Sequence, residues 1–149
     1  MIKRYSQLNK VDQNTLLYHG RHGETPYAEE GIYVTPDKEY AKRYAGDDGL
    51  FVFTLNVPEA TIFSFRRAVD VNKIKPYFTS SHWQGILSNL NEGELDWAGV
   101  GDLANAEYET TEEFLKALGF KGIYITERTG IFSLYIFDEK DLTFVRKET

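Results

Sequence analysis

Three observations predict an α+β fold. Short β-rich runs stand at both ends of the chain, helix-patterned segments lie between them, and no internal repeat or linker-like tract divides the sequence. A length of 149 residues predicts a single domain over 1–149. With 42% hydrophobic and 15% aromatic residues, the chain can pack a core and is too apolar for a disordered tail.

The elements follow in order. Residues 1–14 are polar without a clear period and predict an arm or short helix. Thr15 to Tyr18 predicts a short strand ending at His19-Gly20, and residues 21–30, with Gly23 and Pro26, a loop. Gly31 to Val34 is a short run of β-formers. Thr35 is then expected to cap a helix, with Pro36 at its first position and Asp37 at the positive end of its dipole. That helix should run to Tyr44 and stop before Gly46. Leu50 to Val57 is the strongest strand pattern, followed by Thr61 to Phe65. Ser80 or Ser81 is expected to cap a helix reaching Leu90, with Trp83, Ile86, Leu87 and Leu90 on one face. A short helix is expected near Val100–Glu107, and Thr110 with Glu113 reads as a capping box for a helix ended by Gly119. Strands are predicted at Gly122–Thr126, Ile131–Phe137 and Leu142–Val145, with turns at 128–130 and 138–141.

Composition narrows the chemistry. With no cysteine there is no disulfide framework, thiolate nucleophile or cysteine-based zinc site. The three histidines are scattered, so no metal site is expected. No apolar run approaches the roughly 18–20 residues that cross a bilayer, and Met1–Tyr5 does not open like a signal peptide. Together these predict a cytoplasmic protein. The net charge of −6 is concentrated. Pro76 to Phe114 holds Glu92, Glu94, Asp96, Asp102, Glu107, Glu109, Glu112 and Glu113 with no lysine or arginine. Such a face repels nucleic acid and attracts a basic protein surface, or simply keeps the protein soluble.

The most specific chemistry lies in Leu17-Tyr18-His19-Gly20, in Gly31-Ile32-Tyr33-Val34, and in Tyr44, eleven residues after Tyr33. A histidine nitrogen suits a ribose hydroxyl, and two tyrosine faces suit a planar ring, so the set suits a flat, polar, dinucleotide-like ligand.

These segments resemble the ADP-ribosyltransferase family in its histidine–tyrosine–glutamate branch, that of diphtheria-like toxins and poly-ADP-ribose polymerases. Leu17–Gly20 is similar to the branch's strand-histidine-glycine motif, and Gly31–Val34 to its Gly-Ile-Tyr-Phe motif. The eleven-residue tyrosine separation is typical of the branch. Residues 119–138 look like its closing strands. The resemblance covers roughly 15–65 and 114–146 and does not extend to 66–113. It implies split β-sheets around an NAD cleft, with 66–113 as a helical acidic insert. It implies NAD as substrate, no metal, and transfer of one ADP-ribose unit to a protein. By resemblance His19 bonds the nicotinamide-side ribose, Gly20 presents backbone groups to the carboxamide, and Tyr33 and Tyr44 pack around the ring, Tyr44 stacking directly. Arg21 and His22 are placed to meet the phosphates, and Thr35 to line the pocket. A small free-standing transferase suits a phage or toxin setting.

The catalytic acid departs from the branch. In its polymerases a glutamate immediately precedes a segment like Leu134-Tyr135-Ile136-Phe137-Asp138, and here that position is Ser133. Serine cannot stabilise an oxocarbenium-like state as a carboxylate does. Some small phage-encoded transferases, an anti-CRISPR enzyme among them, resemble a second arrangement: a Leu-Gly-Phe-basic-Gly run, then an acid shortly before glycine. Residues 118–130 are close to that pattern, with Glu127 in the acid's place and Ser133 expected along the nucleotide site. Asp138 and Glu139 fall in a turn, where acids serve turn chemistry. The insert's Tyr77, Phe78, Trp83, Trp97 and Tyr108 suit a protein-docking surface or a helical cap on the core. Two other functions compete: a non-catalytic module that docks a basic partner through the insert, and an NAD glycohydrolase with water as acceptor.

Overall fold

The computed structural model describes residues 11–20, 31–45, 49–128 and 130–148. The arm at 1–10, the loop at 21–30 with Arg21 and His22, and Gly46 lie outside them. The fold is α+β, with seven strands in two sheets and four α-helices among the described residues.

The first sheet has the order β1-β3-β7, all antiparallel: β1 is Leu17–Gly20, β3 Leu50–Leu55 and β7 Leu142–Glu148. β3 reads as an unbroken apolar run because it is central and covered on both sides. Phe51, Phe53 and Leu55 face the core between the sheets. Leu50 packs instead against Ala41 and Ala45 of α1 (Lys38–Ala45). The second sheet has the order β2-β6-β5-β4: β2 is Ile32–Val34, β6 Ile131–Ile136, β5 Gly122–Arg128 and β4 Ile62–Phe63. Only β4 and β5 run parallel. Period-two alternation divides this sheet. Ile32, Val34, Tyr124, Phe132, Leu134 and Ile136 enter the inter-sheet core. Ile123 and Ile125 turn the other way, into a second core with Trp83 and Ile86 of α3 (Ser80–Ser88) and Phe114 and Leu115 of α4 (Thr111–Ala117). The helical segment between β4 and β5, which includes α2 (Ala68–Ile74), therefore covers the outer face of the second sheet as a further layer.

Several local expectations are corrected. Asp37, not Thr35, caps α1: its Oδ1 accepts from the Tyr40 amide at 2.8 Å and its carbonyl from Ala41. The Thr35 hydroxyl donates to the Phe132 carbonyl at 2.7 Å and accepts from the Asp37 amide at 3.1 Å, ahead of the helix. Thr79 caps α3, accepting from the His82 amide at 3.1 Å, and Leu87 on that helix is exposed. Near 100–107 there is only a 3-10 turn at Val100–Leu103, because the Asn105 side chain captures the amides of Glu107 and Tyr108. β4 is shorter than expected because Ser64 and Phe65 bond Glu94 instead of a strand. β5 continues through Glu127 rather than ending at Thr126, and β7 extends to Glu148. Thr110 caps α4 as predicted, accepting from the Glu113 amide at 3.1 Å.

Candidate active site

The two sheets part next to an isolated bridge between Tyr18 and Thr35, which exchange backbone hydrogen bonds of 2.7 and 3.0 Å. Beyond it, a cavity of about 300 Å³ is walled by β1, β2, α1, β5 and β6. His19, Gly20, Tyr33, Thr35, Tyr44, Glu127 and Ser133 all line it. Arg21 lies outside the described residues.

His19 ends β1 with Nδ1 2.6 Å from the Tyr33 carbonyl oxygen. A carbonyl only accepts, so Nδ1–H donates, and in the neutral ring Nε2 is the acceptor nitrogen. Gly20 is glycine for packing reasons. A Cβ there would overlap the Ala41 carbonyl and the Ala45 amide of α1, so its absence lets the helix lie against the end of β1. Gly31 serves similarly, since a Cβ would strike the Tyr135 ring.

Tyr33 is turned outward by the alternation that buries Ile32 and Val34, and it is 47% exposed. Its ring packs on Tyr135, its cross-strand partner, at 4.8 Å. Tyr135 in turn donates to Glu112 at 2.9 Å, and burial first, then this bond, pushes its hydroxyl pKa up. Tyr44, 54% exposed, stands one helical turn after Tyr40, and their hydroxyls are 3.0 Å apart. Burial raises the Tyr40 pKa first, then its hydrogen bond to Tyr44 and the charge of Glu127. The Tyr40 hydroxyl is therefore kept protonated in the wall facing the acid.

Glu127 sits where the β5–β6 register shifts between Thr126 and Arg128. A bulge re-aims the side chain it carries. Its Oε2 accepts from Ser133 Oγ at 2.6 Å, and its Oε1 from Trp97 Nε1 at 2.5 Å. The carboxyl group thus occupies the space beside Ser133 although it belongs to the neighbouring strand. Trp97 comes from the segment between β4 and β5 and meets Tyr33 edge-on at 4.5 Å. The sequence marks Trp97 only as one of the insert aromatics suited to a docking surface or a helical cap on the core, and its motifs do not include Tyr40. Tyr40 was legible from its four-residue spacing to Tyr44, whereas nothing local marks Trp97.

Asp138 does serve its turn, its Oδ1 accepting from the Lys140 amide at 3.0 Å. Among the described residues no group of three or more histidines and acids is placed to hold a metal ion, and no helix is long and apolar enough to cross a membrane. Comparison with protein-family models, curated proteins and solved structures finds no match to this chain.

Chemically, the cavity combines aromatic faces, a histidine acceptor and one carboxyl group held by Ser133 and Trp97 and faced by the Tyr40 hydroxyl. It is suited to a planar ring joined to a hydroxylated unit on which positive charge develops.

Proposed function

We propose that the protein is a mono-ADP-ribosyltransferase of the ADP-ribosyltransferase fold, moving ADP-ribose from NAD to a basic protein. The observation that carries this reading is Glu127, held by Ser133 and Trp97 in the same cavity as His19, Tyr33 and Tyr44. A cavity of about 300 Å³ is at the lower end of small-molecule pockets, roughly 300–1,000 Å³. It suits the nicotinamide end of a dinucleotide, with the remainder along the open side. Tyr33 and Tyr44 supply ring faces, and His19 Nε2 an acceptor for a ribose hydroxyl.

In the proposed reaction the bond from ribose C1′ to the nicotinamide nitrogen breaks, and its electron pair leaves with nicotinamide. C1′ becomes positive, and a nucleophile on the acceptor protein closes on it and loses its proton. Glu127 stabilises the developing charge through the ribose hydroxyls or takes up that proton. The departure at Ser133 is thereby bridged, since serine holds the acid instead of supplying it.

The experiment is nicotinamide release from NAD by wild type and Glu127→Gln. Gln preserves shape and removes charge, so release should fall by about 100-fold or more with the melting temperature retained. Equal release by the two proteins would remove Glu127 from the mechanism.

A further inference from the structure

Trp97 is 41% exposed, and it belongs to the segment that the family resemblance does not reach. It is nevertheless tied to the second sheet on its N-terminal side. Glu94, 1% exposed, accepts from Ser64 Oγ and the Phe65 amide, both at 2.7 Å. The Leu95 carbonyl accepts from the Thr126 amide at 2.8 Å, one residue before Glu127. Beyond Trp97, Asp96 Oδ1 accepts from the Gly99 amide at 2.9 Å and closes the turn that carries the indole. The indole is thus delivered with its N–H on Glu127 Oε1 and its ring edge on Tyr33.

A carboxyl group on a short bulged segment has rotamer freedom that must be removed before it can act on one atom. Ser133 fixes one oxygen and the Tyr40 hydroxyl bears on the same carboxyl group from α1. Without the indole N–H the other oxygen loses its 2.5 Å donor and the group can turn about the contacts that remain. We propose that Trp97 is a positioning residue for the reaction: its indole N–H fixes the orientation of Glu127, making the acidic insert part of the catalytic apparatus as well as a docking surface. This rests on the nucleotide-cleaving reading of the cavity.

The test compares wild type, Trp97→Phe and Trp97→His in steady-state nicotinamide release. Phenylalanine keeps a ring against Tyr33 and removes the N–H. Histidine superimposes its five-membered ring on the pyrrole half of indole and brings Nε2 to the position of Nε1. Trp97→Phe should lower kcat by about tenfold or more, as for loss of a hydrogen bond to a charged group, with KM for NAD within about twofold. Trp97→His should recover most of that loss. In a Glu127→Gln background Trp97→Phe should cost nothing further, because the residue acts only through the acid. Thermal melting of each variant separates unfolding from loss of positioning. An unchanged kcat in Trp97→Phe, an equal loss in Trp97→Phe and Trp97→His, or a full additional loss in the Glu127→Gln background would overturn the proposal and leave the nucleotide reading intact. Absence of nicotinamide release from wild type at saturating NAD would overturn both.

Discussion

Glu127 and His19 approach the cavity from different sheets, and each is oriented by neighbouring groups. The Tyr33 carbonyl fixes the His19 ring, and Ser133 with Trp97 fixes the acid. Single substitutions should therefore separate by role. His19→Ala removes the nitrogen proposed to accept from a ribose hydroxyl. It should reduce kcat/KM for NAD by about tenfold, the equivalent of one hydrogen bond, and leave the melting temperature nearly unchanged because the ring is only partly buried. Wild-type kcat/KM in His19→Ala would remove the histidine from the site. At this scale the outward turn of Tyr33 was legible from simple alternation with Ile32 and Val34. The Glu127–Ser133 contact was not, because a bulge leaves no mark in an apolar pattern. The helix cap was ambiguous for a similar reason. Thr35 and Asp37 are both good caps; tied to the Phe132 carbonyl 97 residues away, the Thr35 hydroxyl accepts from the Asp37 amide ahead of the helix, and Asp37 takes the amide of Tyr40.

At the scale of elements, the segment between β4 and β5 is anchored by buried and half-buried ionisable groups. Arg67 joins Glu59 at 2.6 Å and Asp70 at 2.8 Å, and Tyr124 donates to the same Glu59. Glu94 pins the loop carrying Trp97, and burial pushes its pKa up to about 7 from 4.5 against the opposing pull of its hydrogen bonds. The folded state therefore binds a proton that the unfolded chain has released, and the linkage sign follows. The contribution of Glu94 to stability is fully present below pH about 4.5 and is lost as pH rises through about 7. Glu94→Gln should abolish this fall, which amounts to about 3 kcal/mol, and show a flatter profile in denaturant melts between pH 5 and 8. A wild-type slope retained in Glu94→Gln would assign the titration elsewhere. β3, α4 and the closing hairpin were readable because burial pattern and turn chemistry agree there. The 3-10 turn at Val100–Leu103 was not, since Asn105 ends it by a side-chain bond that competes with helix.

Across the whole molecule, the helical segment is a layer with two faces. Its apolar side completes the second core, and its outer side carries acids with no lysine or arginine from Pro76 to Phe114. The cap and docking readings of the sequence are thus compatible in one layer. Glu107 and Glu109 are exposed and lie apart from the cavity wall. Neutralising both, as Glu107→Gln with Glu109→Gln, should raise KM for a basic protein acceptor about two- to fivefold and weaken its salt dependence. Nicotinamide release without acceptor should not change. An unaltered acceptor KM would move recognition to another face. Fold class and the histidine–tyrosine wall could be read locally, whereas the coupling of insert to acid could not, because it depends on how the layers stack.

The most direct measurement incubates the purified protein with NAD labelled in its ADP-ribose part and a protein-rich lysate, following both free nicotinamide and protein-bound label. Nicotinamide release together with label on a basic protein, both lost in Glu127→Gln, is the expected result. Nicotinamide release with no labelled protein would indicate water as the acceptor. Intact NAD with wild type would rule out NAD cleavage and leave the cavity as a binding site without turnover.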